Sequence, residues 1–355
     1  MFFDIIHYLF HQCSKSNHTL LRRLGYLHQI HHLYFNRNLK FNPKYHWLNI
    51  WVELPLELSC QLLGSYLSWL LLPRLISKNT LLLVLAAEIF RVMVVAFLDG
   101  QDSNHKNYPA VPKDPLFFLV GPQYHALHHI NPSAYISSTF RLFDWVFGTA
   151  CSLESRRVTI TGASGAFGSA MKQQLKQENV SCVQELKFGM DWTHSDTISV
   201  LASTDILILA HGSRGKDAVQ VNCESTIALI ELFRRHHKPG TGHNKMLLPE
   251  IWYVGSEAEL HPCFSEKMRL YAKSKRAFLP YARALYDDQD ILYRHIVPAA
   301  FQSPMGNAIV SSEWAAKVAL WWIRRGARYT PVTYTGIAYL NYFKFVYCVK
   351  KAGKI

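Results

Sequence analysis

The run His125-Ala-Leu-His128-His129 constrains this chain more than any other feature. The same H-x-x-H-H spacing recurs at His28, His31 and His32, and a further pair, His7 and His11, stands four residues apart. Positions i, i+3 and i+4 share one face of an α-helix. Each run therefore aims imidazoles in one direction, as a helix-borne metal site requires. Eleven of the eighteen histidines lie at or before His129, and no packing argument calls for such clusters in an apolar, helical region. Imidazole is a neutral nitrogen donor suited to iron, zinc or copper. A catalytic zinc needs three protein ligands. The clustered histidines exceed that number and are enough for two metal ions.

The flanking sequence predicts a membrane setting. Residues from about Trp47 to Leu72, and again from Leu81 to Leu98, are mostly apolar, with the polar stretch Pro73 to Asn79 between them. This reads as a helical hairpin that enters a bilayer and returns, leaving both histidine-rich segments on one side. Arg22, Arg23, Arg37, Lys40 and Lys44 flank the first span and put that side in the cytoplasm. Glu53 and Glu57 interrupt the first span, and Glu88 and Arg91 the second. Ionisable groups at such positions usually face a protein interior, and Glu88 and Arg91 are spaced to pair on one helical face. An interfacial or buried hairpin is the alternative. Two irons with an all-nitrogen shell in a membrane suit O2 activation on a hydrocarbon.

Composition sharpens this. Hydrophobic residues make up 49% of the chain and the formal net charge is +13, a balance that joins a membrane part to a soluble part. Zinc-finger spacing, an RNP motif and dense Lys/Arg tracts are all missing, so nucleic acid is not the expected partner. Seven cysteines without a C-x-x-C pair read as reduced thiols. The short apolar stretch around His7 and His11 is not a signal peptide.

Near Cys151 to Arg157 the pattern changes to strand, Gly-rich turn, helix. Strands are predicted at Arg157 to Ile160, Asp205 to Ala210, Ile251 to Val254 and Ile291 to Val297. Helices are predicted at Met171 to Glu178, Ser225 to His236 and Glu266 to Leu285. Such alternation indicates an α/β doubly wound parallel (Rossmann) sheet. The expected domains are residues 1–150, a membrane-associated histidine-cluster bundle; 156–328, the Rossmann domain; and 329–355, an apolar, aromatic tail that lies on the membrane or caps the sheet.

Two features of the second domain carry chemistry. Thr161-Gly162-Ala-Ser164-Gly165-Ala-Phe-Gly168 follows a strand and opens a helix, so its glycines permit a tight turn and close approach of a pyrophosphate to the helix N-terminus. Tyr271-Ala-Lys-Ser-Lys275 sets a phenol and an ammonium one helical turn apart. Tyrosine at its ordinary pKa near 10 is a poor base, and a nearby cation moves it towards the working range. Ser256, at a strand end, is placed to hydrogen-bond a reacting oxygen.

The histidine region, over about Asp4 to Thr149, resembles the fatty acid hydroxylase/sterol desaturase superfamily of membrane di-iron oxidases. The resemblance rests on His7 and His11, on His28-Gln-Ile-His31-His32, on Asp102-Ser-Asn-His105 with Tyr108-Pro109, and on Gly121-Pro-Gln-Tyr-His125-Ala-Leu-His128-His129. It continues through Tyr135 to Thr149, which includes Asp144. It implies an α-helical membrane di-iron bundle with iron ligands His7, His11, His28, His31, His32, His105, His125, His128 and His129, two Fe ions, and an external electron donor. Lys15 stands where many relatives have a further histidine, for which His18 or His46 would substitute. Relatives usually carry membrane helices before the first cluster, so a truncated membrane domain is an expectation too.

The segment from about Arg156 to Arg328 resembles the short-chain dehydrogenase/reductase family. That resemblance implies a catalytic set of Asn222, Ser256, Tyr271 and Lys275. In it Tyr271 exchanges a proton with the substrate oxygen, and Lys275 lowers the Tyr271 pKa and binds the nicotinamide ribose. Ser256 positions the carbonyl, and Asn222 supports a relay water. The implied cofactor contacts are Thr161, Gly162, Ser164, Gly165, Gly168, Asp191, Trp192, Ala210, Gly212 and Lys275. His211 departs from the family's N-A-G turn, and Ala299 replaces a glycine in the loop from Pro298 to Ser303. Glu185 would suit the 2′-hydroxyl of NAD and Lys187 the 2′-phosphate of NADP, and both cofactors stay open.

The tandem resembles bifunctional sterol desaturase/short-chain dehydrogenase proteins. The resulting expectation is a membrane-bound oxidoreductase. It would combine O2-dependent hydroxylation or desaturation of a lipid, sterol or carotenoid-like substrate with NAD(P)-dependent alcohol/carbonyl interconversion, both units lying on the cytoplasmic side of a lipid bilayer. A dehydrogenase anchored by a degenerate histidine region is the first alternative, and a nucleotide-sensing membrane adaptor the second.

Overall fold

The computed structural model describes residues 2–187, 195–262 and 266–353. The chain forms two units, Met1–Ser152 and Leu153–Ile355.

The first unit is helical. Helices α1 (Phe2–Ser14) and α2 (Thr19–Tyr34) pack closely. The contact depends on Gly25, one turn before His28, because a Cβ there would lie 2.3 Å from the Ser14 nitrogen and 2.8 Å from the Phe10 carbonyl oxygen. The helical turn α3 (His46–Leu48) runs into a π-helical turn, Asn49–Glu53, and then α4 (Leu54–Leu71). Helix α5 (Lys78–Phe97) starts at Ser77, whose hydroxyl accepts from the Thr80 N–H. Two short helices follow, α6 (Pro122–Ile130), with proline at its first position, and α7 (Leu142–Phe147).

Helices α4 and α5 pack together where the hairpin was expected. Among the described residues, α5 alone is long and apolar enough to cross a membrane. One candidate span therefore stands where the sequence suggested two. The expected Glu88–Arg91 pair is also replaced. Arg91 donates across to Glu57 at 2.8 Å and Gln61 at 3.1 Å, while Glu88 accepts from Ser65 at 2.7 Å. These cross-helix bonds tie α4 to α5, which a pair within one helix would not.

The second unit is a six-stranded parallel, Rossmann-like sheet. Its strands are β1 (Arg157–Thr161), β2 (Cys182–Leu186), β3 (Ile206–Leu209), β4 (Glu250–Val254), β5 (Leu292–Pro298) and β6 (Tyr329–Val332), in the order β2-β1-β3-β4-β5-β6. The chain steps outward from β1 to β2 and returns across it to β3, so a switch point falls between β1 and β3. Ligands of such sheets bind there, beyond the carboxyl ends of the strands. Helices α8 (Ala166–Leu175), α9 (Ser195–Ala202), α10 (Ser225–His236), α11 (Glu266–Asp287) and α12 (Ser312–Arg324) pack against the sheet and one another. Helix α8 begins at Ala166, earlier than the expected Met171, because Gly165 is its N-cap. Fully buried strands such as β3 and β4 carry the core, with Trp252, Tyr253 and Tyr293 at its centre.

The tail settles partly into the sheet unit. Its start forms the edge strand β6, and α13 (Ile337–Tyr347) buries Ala338, Asn341 and Phe345. Phe345 stacks on the ring of His295, 4.9 Å between centroids.

Candidate active site and metal centre

In the first unit the nine singled-out histidines converge in two groups. His7, His11, His28, His32 and His128 form one, and His31, His105, His125 and His129 the other. Within each group one ring nitrogen per residue lies within 4.8 Å of all the rest. Helical rotation explains the division. His28 and His32, four apart, stay together, while His31 turns to the other group. His125 and His129 likewise stay together, and His128 turns away. Lys15, His18 and His46 lie outside both groups; Lys15 donates to Ser133 at 2.8 Å.

The second group is a ring of Nε2 atoms. Consecutive separations are 3.1 Å (His129–His31), 3.1 Å (His129–His125), 3.1 Å (His125–His105) and 3.3 Å (His105–His31). Nitrogen ligands about 2.0–2.1 Å from a metal ion stand roughly 3.0–3.4 Å from one another, so the spacing suits coordination. Outer partners fix the tautomers. His7 Nδ1 donates to the Ile136 carbonyl and His128 Nδ1 to the Ala134 carbonyl, both at 2.9 Å, which turns each Nε2 lone pair inward. His105 Nδ1 lies 2.8 Å from the Asp102 carboxylate. The buried Nε2 atoms of His28, His32 and His128 have no hydrogen-bond partner. Facing, unpartnered lone pairs are costly when buried, and a cation between them removes the cost. The donor set therefore fits a transition-metal ion in each group.

Electrostatics agree. Burial, followed by repulsion from neighbouring rings, holds these imidazoles neutral: His11 is lowered to about 2 and His125 to about 3, and His28, His32, His128 and His129 fall well below the usual range. Neutral imidazole is the ligating form. Glu53, 2% exposed, explains its own interruption of the apolar stretch. Its carboxylate lies 3.6 Å from His28 Nδ1 and 3.8 Å from His31 Nδ1, one residue of each group. The π-helical turn places it there, and such turns gather at functional sites. Sequence reasoning missed Glu53 because an acid inside an apolar run looks like a flaw in a span.

Buried carboxylates brace this shell. Asp144 accepts from the backbone N–H groups of Ile136 and Ser137, both at 2.9 Å, and from the Tyr124 hydroxyl at 2.8 Å. It thereby holds the segment whose Ile136 carbonyl orients His7. Asp4 accepts from the Ser138 N–H and hydroxyl at 2.8 and 2.6 Å.

In the second unit, the switch point opens into a cleft of about 700 Å³. Gly162, Ser164 and Gly165 line it from the first turn, Ala210 and Gly212 from the end of β3, and Ser256, Tyr271 and Lys275 from β4 and α11. Gly162 has φ +66°, and a Cβ there would lie 2.6 Å from the His211 nitrogen. A Cβ at Gly168 would lie 2.2 Å from the Gly162 carbonyl oxygen. Together with the amino end of α8, this is a backbone cradle with the room and polarity for a dinucleotide phosphate. Thr161 lies behind the turn, bonded to His211 Nδ1 at 2.7 Å. Asp191 and Trp192 lie outside the described residues.

The tyrosine and serine line the same cleft, where Ser256 favours the Tyr271 phenolate. Glu259, fully buried, accepts from the Ser256 N–H at 3.3 Å and pairs with His295 at 2.7 Å, which fixes the serine's backbone. Asn222 is buried and bonded to the Ser213 backbone and to the Ser274 hydroxyl at 2.7 Å, so it braces the cleft wall. Lys275 differs from expectation. Its Nζ donates to the Val254 carbonyl at 2.8 Å and lies over the Tyr253 ring, and burial lowers its pKa to about 8. The cation beside the Tyr271 ring is Arg214, 5.1 Å from the ring centroid. Burial raises the Tyr271 pKa, while Ser256 and then Arg214 pull it down. Arg214 follows Gly212 at the carboxyl end of β3, where ligand-facing loops sit; that position was the signal available in the sequence. Glu185 also departs from its expected place, since its carboxylate pairs with Lys172 at 2.7 Å and is not among the cleft residues.

No protein-family model matches the chain. It is 29% identical to the monoglucosyldiacylglycerol epimerase of Synechocystis sp. over an alignment 365 positions long, which spans 89% of this chain and 86% of the relative. A short chain dehydrogenase from Burkholderia cenocepacia, solved in complex with NADP, is 15% identical. It covers 55% of this chain and 94% of its own, with a TM-score of 0.43. A short chain dehydrogenase from Escherichia coli, complexed with NADPH, is also 15% identical, with coverages of 51% and 98% and a TM-score of 0.43.

Proposed function

We propose that this chain is an NAD(P)-dependent oxidoreductase that interconverts alcohol and carbonyl on a lipid-linked hydroxyl at a membrane. On a glycolipid it would invert a carbinol centre of the sugar headgroup. The carrying observation is the single cleft that the Gly162–Gly165 turn, Ser256, Tyr271 and Lys275 line together. The headgroup and the inversion are suggested by the Synechocystis relative, whose name describes that epimerisation and which aligns across most of both chains.

The nicotinamide cofactor, when bound, supplies hydride transfer at the carbinol carbon. Ser256 and Tyr271 hold the reacting oxygen. As the carbon loses hydride, the Tyr271 phenolate takes the hydroxyl proton and a carbonyl forms. In the return direction Tyr271 gives that proton back. Inversion requires the carbonyl to present its other face before the return. Burial works against the phenolate, so positive charge from Arg214 and Lys275 is needed near the ring to make Tyr271 a base at neutral pH.

In the first unit His7, His11, His28, His32 and His128 would hold one iron ion and His31, His105, His125 and His129 a second. Bound iron would supply O2 activation for hydroxylation or desaturation of a lipid, with electrons from an external donor. A second reading leaves the metal no oxidative task and makes the unit an anchor. The observation favouring it is that epimerisation is redox-neutral overall and needs neither O2 nor outside electrons. The arginines and lysines flanking the first apolar stretch support a cytoplasmic position for the histidine groups.

The test uses the full chain in vesicles containing monoglucosyldiacylglycerol, supplied with NAD or NADP, followed by chromatography of the released sugar. Inverted sugar that vanishes in Tyr271→Phe is expected; unchanged lipid with either cofactor would sink the proposal. Anaerobic and aerobic runs with metal analysis separate the two readings. Fewer than about one iron per chain after reconstitution would remove the oxygenase half.

A further inference from the structure

Helix α13 is apolar on both sides. Ala338, Asn341 and Phe345 point into the sheet unit, yet Tyr339, Leu340, Phe343 and Tyr347 on the other side are 47%, 60%, 57% and 79% exposed. A helix that is hydrophobic all round is ordinarily buried all round. The exposed face continues onto α12, where Trp322 lies 6.3 Å from Tyr339 and Trp321, 46% exposed, lies beside it. Contiguous apolar surface of this kind marks an interaction site.

The chain around it is predominantly basic, with Arg324 paired to Glu178 at 2.8 Å and Lys351 paired to Asp287. From Trp321 to Lys351 the chain carries Arg324, Arg325, Arg328, Lys344, Lys350 and Lys351 and no aspartate or glutamate. The Arg325 guanidinium lies 3.7 Å over the Trp321 ring. Exposed tryptophan, tyrosine and phenylalanine set among lysines and arginines is the composition of a helix lying in the plane of a bilayer surface. Lys344 and Lys350, exposed and outside those ion pairs, add attraction to anionic headgroups.

We propose that the outer face of α12 and α13 is a lipid-binding surface that seats the sheet unit on an anionic bilayer. This goes beyond the catalytic reading and does not depend on it. It does bear on it, because α13 is hung from the cleft wall. The Glu257 carboxylate, which lines the cleft, accepts from the Ala338 N–H and the Thr335 hydroxyl, each at 3.0 Å, and the Glu257 carbonyl accepts from Asn341 at 2.9 Å. A bilayer seated on α13 would lie beside the mouth through which a lipid headgroup enters.

The test is photo-crosslinking of the full chain in phosphatidylglycerol/phosphatidylcholine vesicles. Phe343→p-benzoylphenylalanine and Tyr347→p-benzoylphenylalanine are made singly, with Glu231→p-benzoylphenylalanine, on the exposed side of α10, as control. Mass spectrometry of the irradiated protein is expected to find phospholipid adducts at 343 and 347 and none at 231. Adduct yield should fall roughly fivefold or more when phosphatidylglycerol is omitted. Crosslinks from 343 and 347 to a second copy of the chain, or to the histidine unit of the same chain, would overturn the proposal. So would lipid adducts as abundant at 231. All three sites are exposed, so a variant that fails to fold is recognised by loss of its melting transition, and Leu340→p-benzoylphenylalanine serves in its place.

Discussion

The Arg214 guanidinium lies 5.1 Å from the centroid of the Tyr271 ring, whereas the Lys275 ammonium is turned to the Val254 carbonyl at 2.8 Å. Arg214 also donates to the Met305 carbonyl, so it spans the cleft between two loops. Ser256, Glu257, Lys275, His211, Ser303 and Asn307 are among the other polar groups lining the cleft, and Glu259 lies behind Ser256. Glu259 opposes the phenolate and Ser256 favours it. Removing a cation destabilises the phenolate, so the rising limb of the pH–rate profile should move to higher pH. For Arg214→Gln a shift of about one unit is expected, with NAD(P)H binding, read by tryptophan quenching, unchanged. An unmoved profile would return the role to Lys275.

His129 Nε2 lies 3.1 Å from both His31 and His125, with the residue fully buried. His129→Ala is therefore expected to empty one of the two groups and lower bound metal by about half, as measured by elemental mass spectrometry. His18→Ala, outside both groups, should leave the content unchanged. Equal loss in both variants would mean that the convergence does not hold metal.

His211 shows how burial couples to pH. Burial first, and the charge on Lys275 second, lower its pKa to about 3, against about 6.5 when unfolded. Above pH 6.5 the ring is neutral in both states and adds no pH dependence. Below it the unfolded chain binds a proton that the folded chain does not. Stability then falls as pH drops, by about 1.4 kcal/mol per unit, until the folded value is reached. Between pH 7 and pH 5, His211→Asn should therefore lose roughly 2 kcal/mol less than the parent in denaturant unfolding. Identical losses would show that His211 is protonated while folded.

Gly168 has no room for a side chain, because the Gly162 carbonyl oxygen would lie 2.2 Å from its Cβ. Gly168→Ala must push the first turn out of shape, at a cost of roughly 1–3 kcal/mol. It is expected to abolish saturable NAD(P)H binding measured by fluorescence. Retained affinity would show that this turn is not the nucleotide cradle.

Much of the arrangement could be read from local spacing. The i, i+3 and i+4 histidines, the strand–glycine turn–helix unit and the Tyr271/Lys275 pair obey helix and sheet periodicities, which depend only on neighbouring residues. Strand positions were legible for the same reason, since continuous apolar runs such as Ile206 to Leu209 are what a doubly covered parallel sheet demands. Helix α8 starts before its apolar run suggests because glycine acts there as an N-cap rather than a breaker. Strand β6 went unseen because its residues merge into an aromatic tail.

By itself, then, the sequence determined which residues carry donor atoms, which share a helical face, and where the backbone must turn tightly. Tertiary structure alone decided how those faces meet. It divided the nine histidines five and four, because α1 and α2 touch at Gly25 and adjacent residues on a helix point about 100° apart. It turned Glu53 towards the imidazoles instead of lipid. It also gave Tyr271 an arginine from the loop after β3, 57 positions earlier in the chain, since the distance between a charge and a ring is set by packing and not by spacing along the sequence.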